Sequence, residues 1–192
     1  MRDFKTGVAD KSCAVPDNLE ADAPQKRPAN PEQSSFFPLF VDMTDRKVLI
    51  LGGGNVAARR VRILASFGAD ITVISPKADA EIKSAASTGS LSLLERRYQK
   101  GDISAIRPFF IIAATDDRQA NHEAMTESLS LGIPASIADS REECTCCFPA
   151  IAESGSFIAG LVSKNGDHKG VKQMAQKIRE LLMRSVTAML NA

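Results

Sequence analysis

The stretch KVLILGGGNVAARRVRILASFGADITVIS, residues 47–75, decides the fold of this chain. It opens with KVLIL (47–51), a short continuous apolar run of the kind found in strands that are buried on both faces. Three glycines follow, and apolar side chains then recur at helical spacing up to Gly68, a plausible helix stop. DITVIS (70–75) predicts a second strand. A strand, a helix and a second strand in this order predict a crossover connection between parallel strands.

The same alternation continues to about residue 143. Further strands are predicted at 91–96, 109–115 and 134–139, and further helices at 78–87 and 117–131. Strands that alternate with helices form parallel sheets with helices on both faces. We therefore expect an α/β fold, with a Rossmann-like doubly wound parallel sheet over residues 36–143.

The pattern changes after Cys147. Two short strands are predicted with a turn at Glu153–Gly155, and a long amphipathic helix is predicted from Gly170 onward. The predicted apolar face of this helix contains Val171, Met174, Ile178, Leu181 and Leu182. Because two strands form too small a sheet to be stable alone, we expect residues 144–192 to be a strand-strand-helix dimerisation segment in a homodimer.

Residues 1–35 differ from the rest of the chain in composition. They contain four prolines and few large apolar side chains, so they are predicted to form a flexible tail.

The composition of the whole chain limits the possible functions. Of the 192 residues, 44% are hydrophobic and 24% are charged, which is typical of a soluble globular protein. A net charge of +1 argues against nucleic-acid binding, and no apolar run is long enough to cross a membrane. Four cysteines without regular spacing and no secretory signal favour reduced thiols and a cytoplasmic location.

The glycine-rich turn predicts a dinucleotide site. Gly52-x-Gly54-x-x-Ala57 follows a strand and opens a helix, as the dinucleotide fingerprint requires. The first glycine permits the tight turn, the second lets the backbone approach a pyrophosphate, and the small third residue lets helix and strand pack closely. The alternative is a turn whose glycines serve packing alone.

Two neighbouring segments bear on the cofactor. The second strand ends with Ser75, Pro76 and Lys77 in place of the usual acidic residue. Either the backbone and the serine hydroxyl hold the ribose, or Lys77 tolerates a 2′-phosphate, so NAD and NADP both stay open on this pattern. Thr115 and Asp116 follow the fourth strand and could line the crevice, or an aspartate there could cap the next helix.

Three segments in order carry a family resemblance. They are FPLFVDMTDRKVLILGGGNVAARRVRILASFGADITVISP, IIAATDD and ASIADSREECTCCFPAI, and together they cover about residues 36–151. They resemble the precorrin-2 dehydrogenase family of sirohaem synthesis. The resemblance implies NAD-dependent oxidation of precorrin-2 to sirohydrochlorin, and in some members also insertion of ferrous iron. It also implies a dimer in which the segment after the cofactor domain is exchanged between subunits.

The resemblance also assigns site residues. Asn55, Val56, Pro76 and Lys77 match NAD-contacting positions of the family, and Asp139 matches the aspartate to which its chemistry is attributed. A carboxylate at the end of a parallel strand faces the ligand crevice and could act as a base, although Asp139 could instead start a turn.

The substrate side is less clearly marked in the sequence. Lys164 and His168 lie in a polar loop and are candidate contacts for a tetrapyrrole polycarboxylate, although a loop histidine is more often only solvated. Residues 164–184 hold six basic and two acidic side chains, which could attract such a substrate.

The three cysteines and the overall function leave alternatives. Cys144, Cys146 and Cys147 lack the second ligand pair that zinc sites need, so we predict no metal site and expect them mostly to fill space. A redox or labile metal role is the other possibility. The alternative function is a non-catalytic NAD(H)-sensing Rossmann module.

Overall fold

The computed structural model describes residues 36–190, with side chains to residue 184. The predicted flexible tail and Cys13 lie outside the described residues. The strands within them are β1 (Lys47–Leu51), β2 (Asp70–Ile74), β3 (Ser92–Leu94), β4 (Phe110–Ala113), β5 (Ala135–Ile137), β6 (Ala150–Ser154) and β7 (Phe157–Leu161). The helices are α1 (Asn55–Ser66), α2 (Ala80–Ser87), α3 (Asp102–Ile106), α4 (Arg118–Ser130) and α5 (His168–Leu190), with a 3-10 helix at Arg141–Glu143.

The first five strands form one parallel sheet in the order β3-β2-β1-β4-β5. The strand order reverses between β1 and β4, so this is the doubly wound Rossmann topology that the sequence predicted. In such a sheet, ligands bind at the carboxyl ends of the strands near the reversal point.

Both faces of the sheet are covered. Val48 and Ile50 of β1 pack into a core with α1 and α2, and Leu49 and Leu51 pack into a second core with α3 and α4. All four side chains are fully buried. The continuous apolar run of β1 therefore has the two-sided burial that its sequence predicted.

Helix α3 was not predicted from the sequence. Its start is held by Glu127 of α4, whose carboxylate accepts hydrogen bonds from the Gly101 and Ser104 N–H groups at 2.9 Å each. Glu127 also accepts from the Tyr98 hydroxyl at 2.5 Å. A buried carboxylate far along the chain thus supplies the cap that the local sequence lacks.

The last part of the described chain is an antiparallel hairpin followed by α5. Ser154 pairs with Phe157, so the turn lies at Gly155–Ser156 and the predicted turn at Glu153–Gly155 was wrong. Gly155 has φ 56°, which suits the first position of a two-residue hairpin loop. The predicted strand-strand-helix order is confirmed, whereas the domain boundary at residues 143 and 144 stays a prediction.

The predicted apolar face of α5 is only partly buried within one chain. Val171, Ile178 and Leu182 are partly buried, but Met174 is 50% exposed and Leu181 is 60% exposed. Ala175, which the pattern did not select, is the most buried of the described α5 side chains. Within a single chain, the predicted apolar face of α5 therefore contains both partly buried and exposed side chains.

Candidate active site

The first glycine of the turn is required by the neighbouring strand. Gly52 has φ 105°, and a Cβ atom there would lie 2.3 Å from the carbonyl oxygen of Ala114, just after β4. Its N–H donates to the Ile74 carbonyl at 2.9 Å. Gly52 thus lets the chain turn tightly between the ends of β2 and β4.

The middle glycine is also required, although the fingerprint treats its position as variable. A Cβ atom on Gly53 would lie 2.3 Å from the Lys77 carbonyl oxygen and 2.8 Å from the Ser75 hydroxyl. The Gly53 carbonyl accepts the Asp79 N–H at 2.7 Å. The loop after β2 therefore packs directly on this glycine, a contact that the motif did not reveal.

Gly54 differs from the other two glycines. Its φ of −82° is open to any residue, and a Cβ atom there would meet nothing within 4 Å. Neither strain nor packing within the chain requires glycine at this position. The open space lies at the start of α1, where the fingerprint places the pyrophosphate, so the residues present fit a dinucleotide.

The start of α1 is suited to an anion. No side chain caps α1 and no acidic residue lies in its first turn, whereas Asp79 caps α2 and Asp117 caps α4. Backbone N–H groups and the positive end of the helix dipole thus face the open space. Asn55 and Val56, the first two residues of α1, are both exposed there.

The loop after β2 bears on whether the Ser75 hydroxyl could hold the ribose of the cofactor. Ser75 is 4% exposed, and its hydroxyl donates to the Lys77 carbonyl at 2.6 Å. This hydroxyl stabilises the loop, so the alternative in which it holds the ribose loses support. Pro76 and Lys77 are exposed.

The segment after β4 shows which of its residues caps α4 and which lies beside the glycine turn. Asp117 accepts the N–H groups of Gln119 and Ala120 at 3.0 and 3.2 Å, so this aspartate caps α4. Thr115 lies beside the glycine turn, and its hydroxyl donates to Asn121 Oδ1 at 2.7 Å. Asp116 is exposed.

Asn121 joins the ends of two neighbouring strands. This fully buried side chain contacts Thr115 after β4, and its Nδ2 donates to Asp139 Oδ2 at 3.0 Å after β5. The structure thus brings Thr115 and Asp139 together through a residue that sequence reasoning missed. The available signal was an amide on the first full turn of a predicted helix that follows a strand end.

Asp139 also belongs to a charged network on α4 and the 3-10 helix. Arg118 Nη1 lies 3.6 Å from Asp139 Oδ1, and the Arg118 guanidinium also donates to Glu143. This arginine holds the pKa of Glu143 below its usual range. His122 Nδ1 lies 3.3 Å from the same glutamate oxygen, so His122 has a structural contact. The Asp139 side chain is 37% exposed and accessible to a ligand.

The cysteine-rich segment covers the outer edge of β5. Cys144 Sγ accepts the Ile137 N–H at 3.2 Å and lies 3.3 Å from the Ile137 carbonyl oxygen. Burial raises the pKa of Cys146 to about 12, so its thiol stays protonated at neutral pH. Within residues 36–190, no three His, Cys, Asp or Glu side chains are grouped to hold a metal ion. These contacts favour the space-filling interpretation of the cysteines.

The structure places Lys164, one of the two candidate substrate residues, beside the 3-10 helix. Arg141 donates to the carbonyl oxygens of Ser163 and Lys164 at 2.6 and 2.9 Å, which anchors the loop after β7. His168 is exposed at the start of α5. Among the described side chains, neither Lys164 nor His168 forms a hydrogen bond or ion pair with Asp139.

Comparisons with known proteins agree with this geometry. A family model described as "Putative NAD(P)-binding" matches residues 39–150, and the chain belongs to that family. The solved structure of "SirC, precorrin-2 dehydrogenase" is similar with a TM-score of 0.66 and 24% identity, covering 76% of this chain and 70% of the other. This likeness confirms the Rossmann-like fold with its appended hairpin and helix.

Two curated relatives extend the comparison. The "Probable multifunctional siroheme biosynthesis protein HemA" of Ruminiclostridium josui is 44% identical over 146 residues, or 76% of this chain and 28% of the relative. The "Siroheme synthase" of Psychrobacter arcticus is 40% identical over 130 residues, or 68% and 23%. The aligned part therefore spans about a quarter of these longer relatives. Within the described residues, no helix is both long and apolar enough to cross a membrane.

Proposed function

We propose that this chain catalyses the NAD-dependent oxidation of precorrin-2 to sirohydrochlorin. The observation that supports this proposal is a series of contacts along the sheet edge. Gly52 lies beside the end of β4, where Thr115 follows. Asn121 connects Thr115 to the exposed carboxylate of Asp139. An open dinucleotide turn and a candidate base are thereby connected along one sheet edge. The relatives named for sirohaem synthesis support the choice of substrate.

The proposed site divides into cofactor contacts and a base. Gly52, Gly54 and Thr115 border the cofactor, together with Asn55 and Val56 of α1 and Pro76 and Lys77 of the loop after β2. NAD⁺, when bound, accepts the hydride that leaves the substrate. The oxidation also releases one proton, and Asp139 is the carboxylate that accepts it. The two hydrogens lost by precorrin-2 are thereby balanced.

The substrate contacts come from the segment after β7. Lys164 and His168 would face the carboxylates of the tetrapyrrole, supported by the excess of basic residues along α5. The Arg141 hydrogen bonds hold this loop beside the 3-10 helix that follows Asp139. Iron insertion is not part of the proposal, because no observation within the described residues favours it.

The active form in this proposal is a cytoplasmic homodimer. Phe157, Val162, Met174 and Leu181 are 46–60% exposed on the hairpin and α5 of a single chain. A second copy would bury these side chains and supply the surface that a two-stranded sheet needs. Light scattering at micromolar protein should give twice the chain mass, and a monomeric mass would contradict this part.

The test of the proposed reaction is optical. Purified protein, NAD⁺ and precorrin-2 are mixed anaerobically, and NADH absorbance and the sirohydrochlorin spectrum are followed together. Equal amounts of NADH and sirohydrochlorin are expected. NAD⁺ binding without either product would instead support the NAD(H)-sensing module, the alternative that the fold also permits.

A further inference from the structure

We propose that Asn121 is a positioning residue that orients the Asp139 carboxylate through a hydrogen bond donated from inside the protein. This inference rests on the proposed function, in which Asp139 accepts a proton. It assigns a role to a residue that neither the dinucleotide fingerprint nor the family resemblance marks.

The amide of Asn121 can occupy its site in only one orientation. Its Oδ1 accepts from the Thr115 N–H at 3.2 Å and from the Thr115 hydroxyl at 2.7 Å. Its Nδ2 donates to the Thr115 carbonyl at 3.2 Å and to Asp139 Oδ2 at 3.0 Å. A flipped amide would place an oxygen against both the carboxylate and the Thr115 carbonyl, and an NH₂ group against the Thr115 N–H. The amide NH₂ group is therefore directed at Asp139.

Burial makes this hydrogen bond effective. Asn121 is fully buried, whereas the Asp139 side chain is 37% exposed. A hydrogen bond donated from inside the protein fixes Oδ2 of the carboxylate, while Oδ1 lies 3.6 Å from Arg118 Nη1. Donation to a carboxylate also stabilises its ionised form, which is the form that a base requires.

Other charges near Asp139 define the background against which Asn121 acts. Arg118 is the described cation within ion-pair distance, at 3.6 Å, but its guanidinium is shared with Glu143. The other ionisable groups on the surrounding segments are Asp116, Asp117, His122, Arg141, Glu142 and Glu143. Because Arg118 is 49% exposed, its longer contact is screened by solvent. The buried amide is therefore the more specific partner.

The decisive variant is Asn121→Asp. Its carboxylate is isosteric and can still accept both Thr115 hydrogen bonds, but it loses the donor to the Thr115 carbonyl and sets a second negative charge against Asp139. The control is Gln119→Glu, which adds the same charge two residues earlier at an exposed position. Single-turnover NADH formation is measured from pH 3 to 9, and the Asp139 carboxyl carbon is titrated by ¹³C NMR over the same range, assigned from the Asp139→Asn spectrum.

The expected result is a pH-dependent loss. In Asn121→Asp the acid limb of the rate profile and the Asp139 titration midpoint both move to higher pH by more than about one unit. At pH values below both acid limbs, a shift of about one unit lowers the rate about tenfold relative to the parent, and most of the loss is recovered at pH 9. Gln119→Glu should change the rate by less than about twofold at any pH.

Other outcomes would overturn the inference. An equal loss at every pH with an unmoved Asp139 titration would mean that Asn121 only supports the fold, and an unchanged profile would exclude any role. If Asn121→Asp does not fold, Asn121→Ser serves the same test, because its short side chain cannot reach Asp139 and should give a smaller shift in the same direction. Absence of product with the parent protein would refute the proposed function, while the NMR titration would still test the coupling of Asn121 to Asp139.

Discussion

Gly52 and Ala114 are in such close contact that a methyl group on the glycine would lie 2.3 Å from the alanine carbonyl oxygen. A methyl group on Gly54 would meet nothing within 4 Å. Two glycines of one turn therefore serve different purposes, one for the fold and one for the ligand. This difference leads directly to a paired prediction.

Gly52→Ala should mainly reduce the stability of the fold, whereas Gly54→Asp should mainly reduce NAD⁺ binding. Gly52→Ala combines a positive φ with overpacking, so we expect a loss of about 2–5 kcal/mol in the free energy of unfolding. Gly54→Asp should change it by less than about 0.5 kcal/mol but abolish NAD⁺ binding through clash and like charge. Urea unfolding and calorimetry measure the two effects. Unchanged NAD⁺ affinity in Gly54→Asp would contradict the location of the site.

Tyr98 should titrate only at very high pH. Burial and the hydrogen bond to Glu127 raise the pKa of this phenol well above its usual range. Because Tyr98 is the only tyrosine and the chain has no tryptophan, absorbance at 295 nm reports it alone. The contribution to stability is complete below the unfolded pKa of about 10 and is lost as the pH rises above it. A titration midpoint near pH 10 in the folded protein would contradict this contact.

The three cysteines should be dispensable for activity. A variant with serine at 144, 146 and 147 should keep NAD⁺ binding and turnover, with a somewhat lower melting temperature from lost burial. In the parent, Cys146 should react slowly with iodoacetamide at pH 8, because burial raises its pKa to about 12. Loss of a stoichiometric metal together with activity would show that the thiols have a chemical role.

Asp139→Asn should separate binding from chemistry. The amide keeps the shape of the side chain and its oxygen can still accept from Asn121, so NAD⁺ affinity and dimerisation should not change. Loss of a general base typically costs about 10²–10⁴ in rate. The measurement is single-turnover NADH formation at saturating NAD⁺. A rate within a few-fold of the parent would mean that Asp139 only shapes the turn, and His168 would be the next residue to test.

The sequence predicted the parts of this fold that depend on local patterns. The strand KVLIL, the glycine turn and α1 are adjacent in the chain, so periodicity and the fingerprint were sufficient to predict them. Helix α3 was missed because its start is held by Glu127, a residue 26 positions after Gly101. A sequence window as short as one helix therefore does not contain both partners.

The same reasoning explains why two residues of the candidate site were not predicted from the sequence. Gly53 is required because the Lys77 carbonyl packs on it, and Asn121 matters because it reaches both Thr115 and Asp139. Each of these contacts joins the ends of different strands, so it depends on the strand order. Single-sequence patterns indicate which segments are strands but not which residues meet after the chain folds.

The coverage of β5 has a consequence for how two copies can associate. Ala135 exchanges hydrogen bonds with Thr145 and Cys146, and both outward groups of Ile137 are within hydrogen-bond distance of Cys144 Sγ. The outer edge of this three-residue strand is therefore already occupied by its own chain. A second subunit cannot extend the sheet there by strand addition. Any stable association at this end must rely on side-chain packing and shape, and not on a shared backbone ladder.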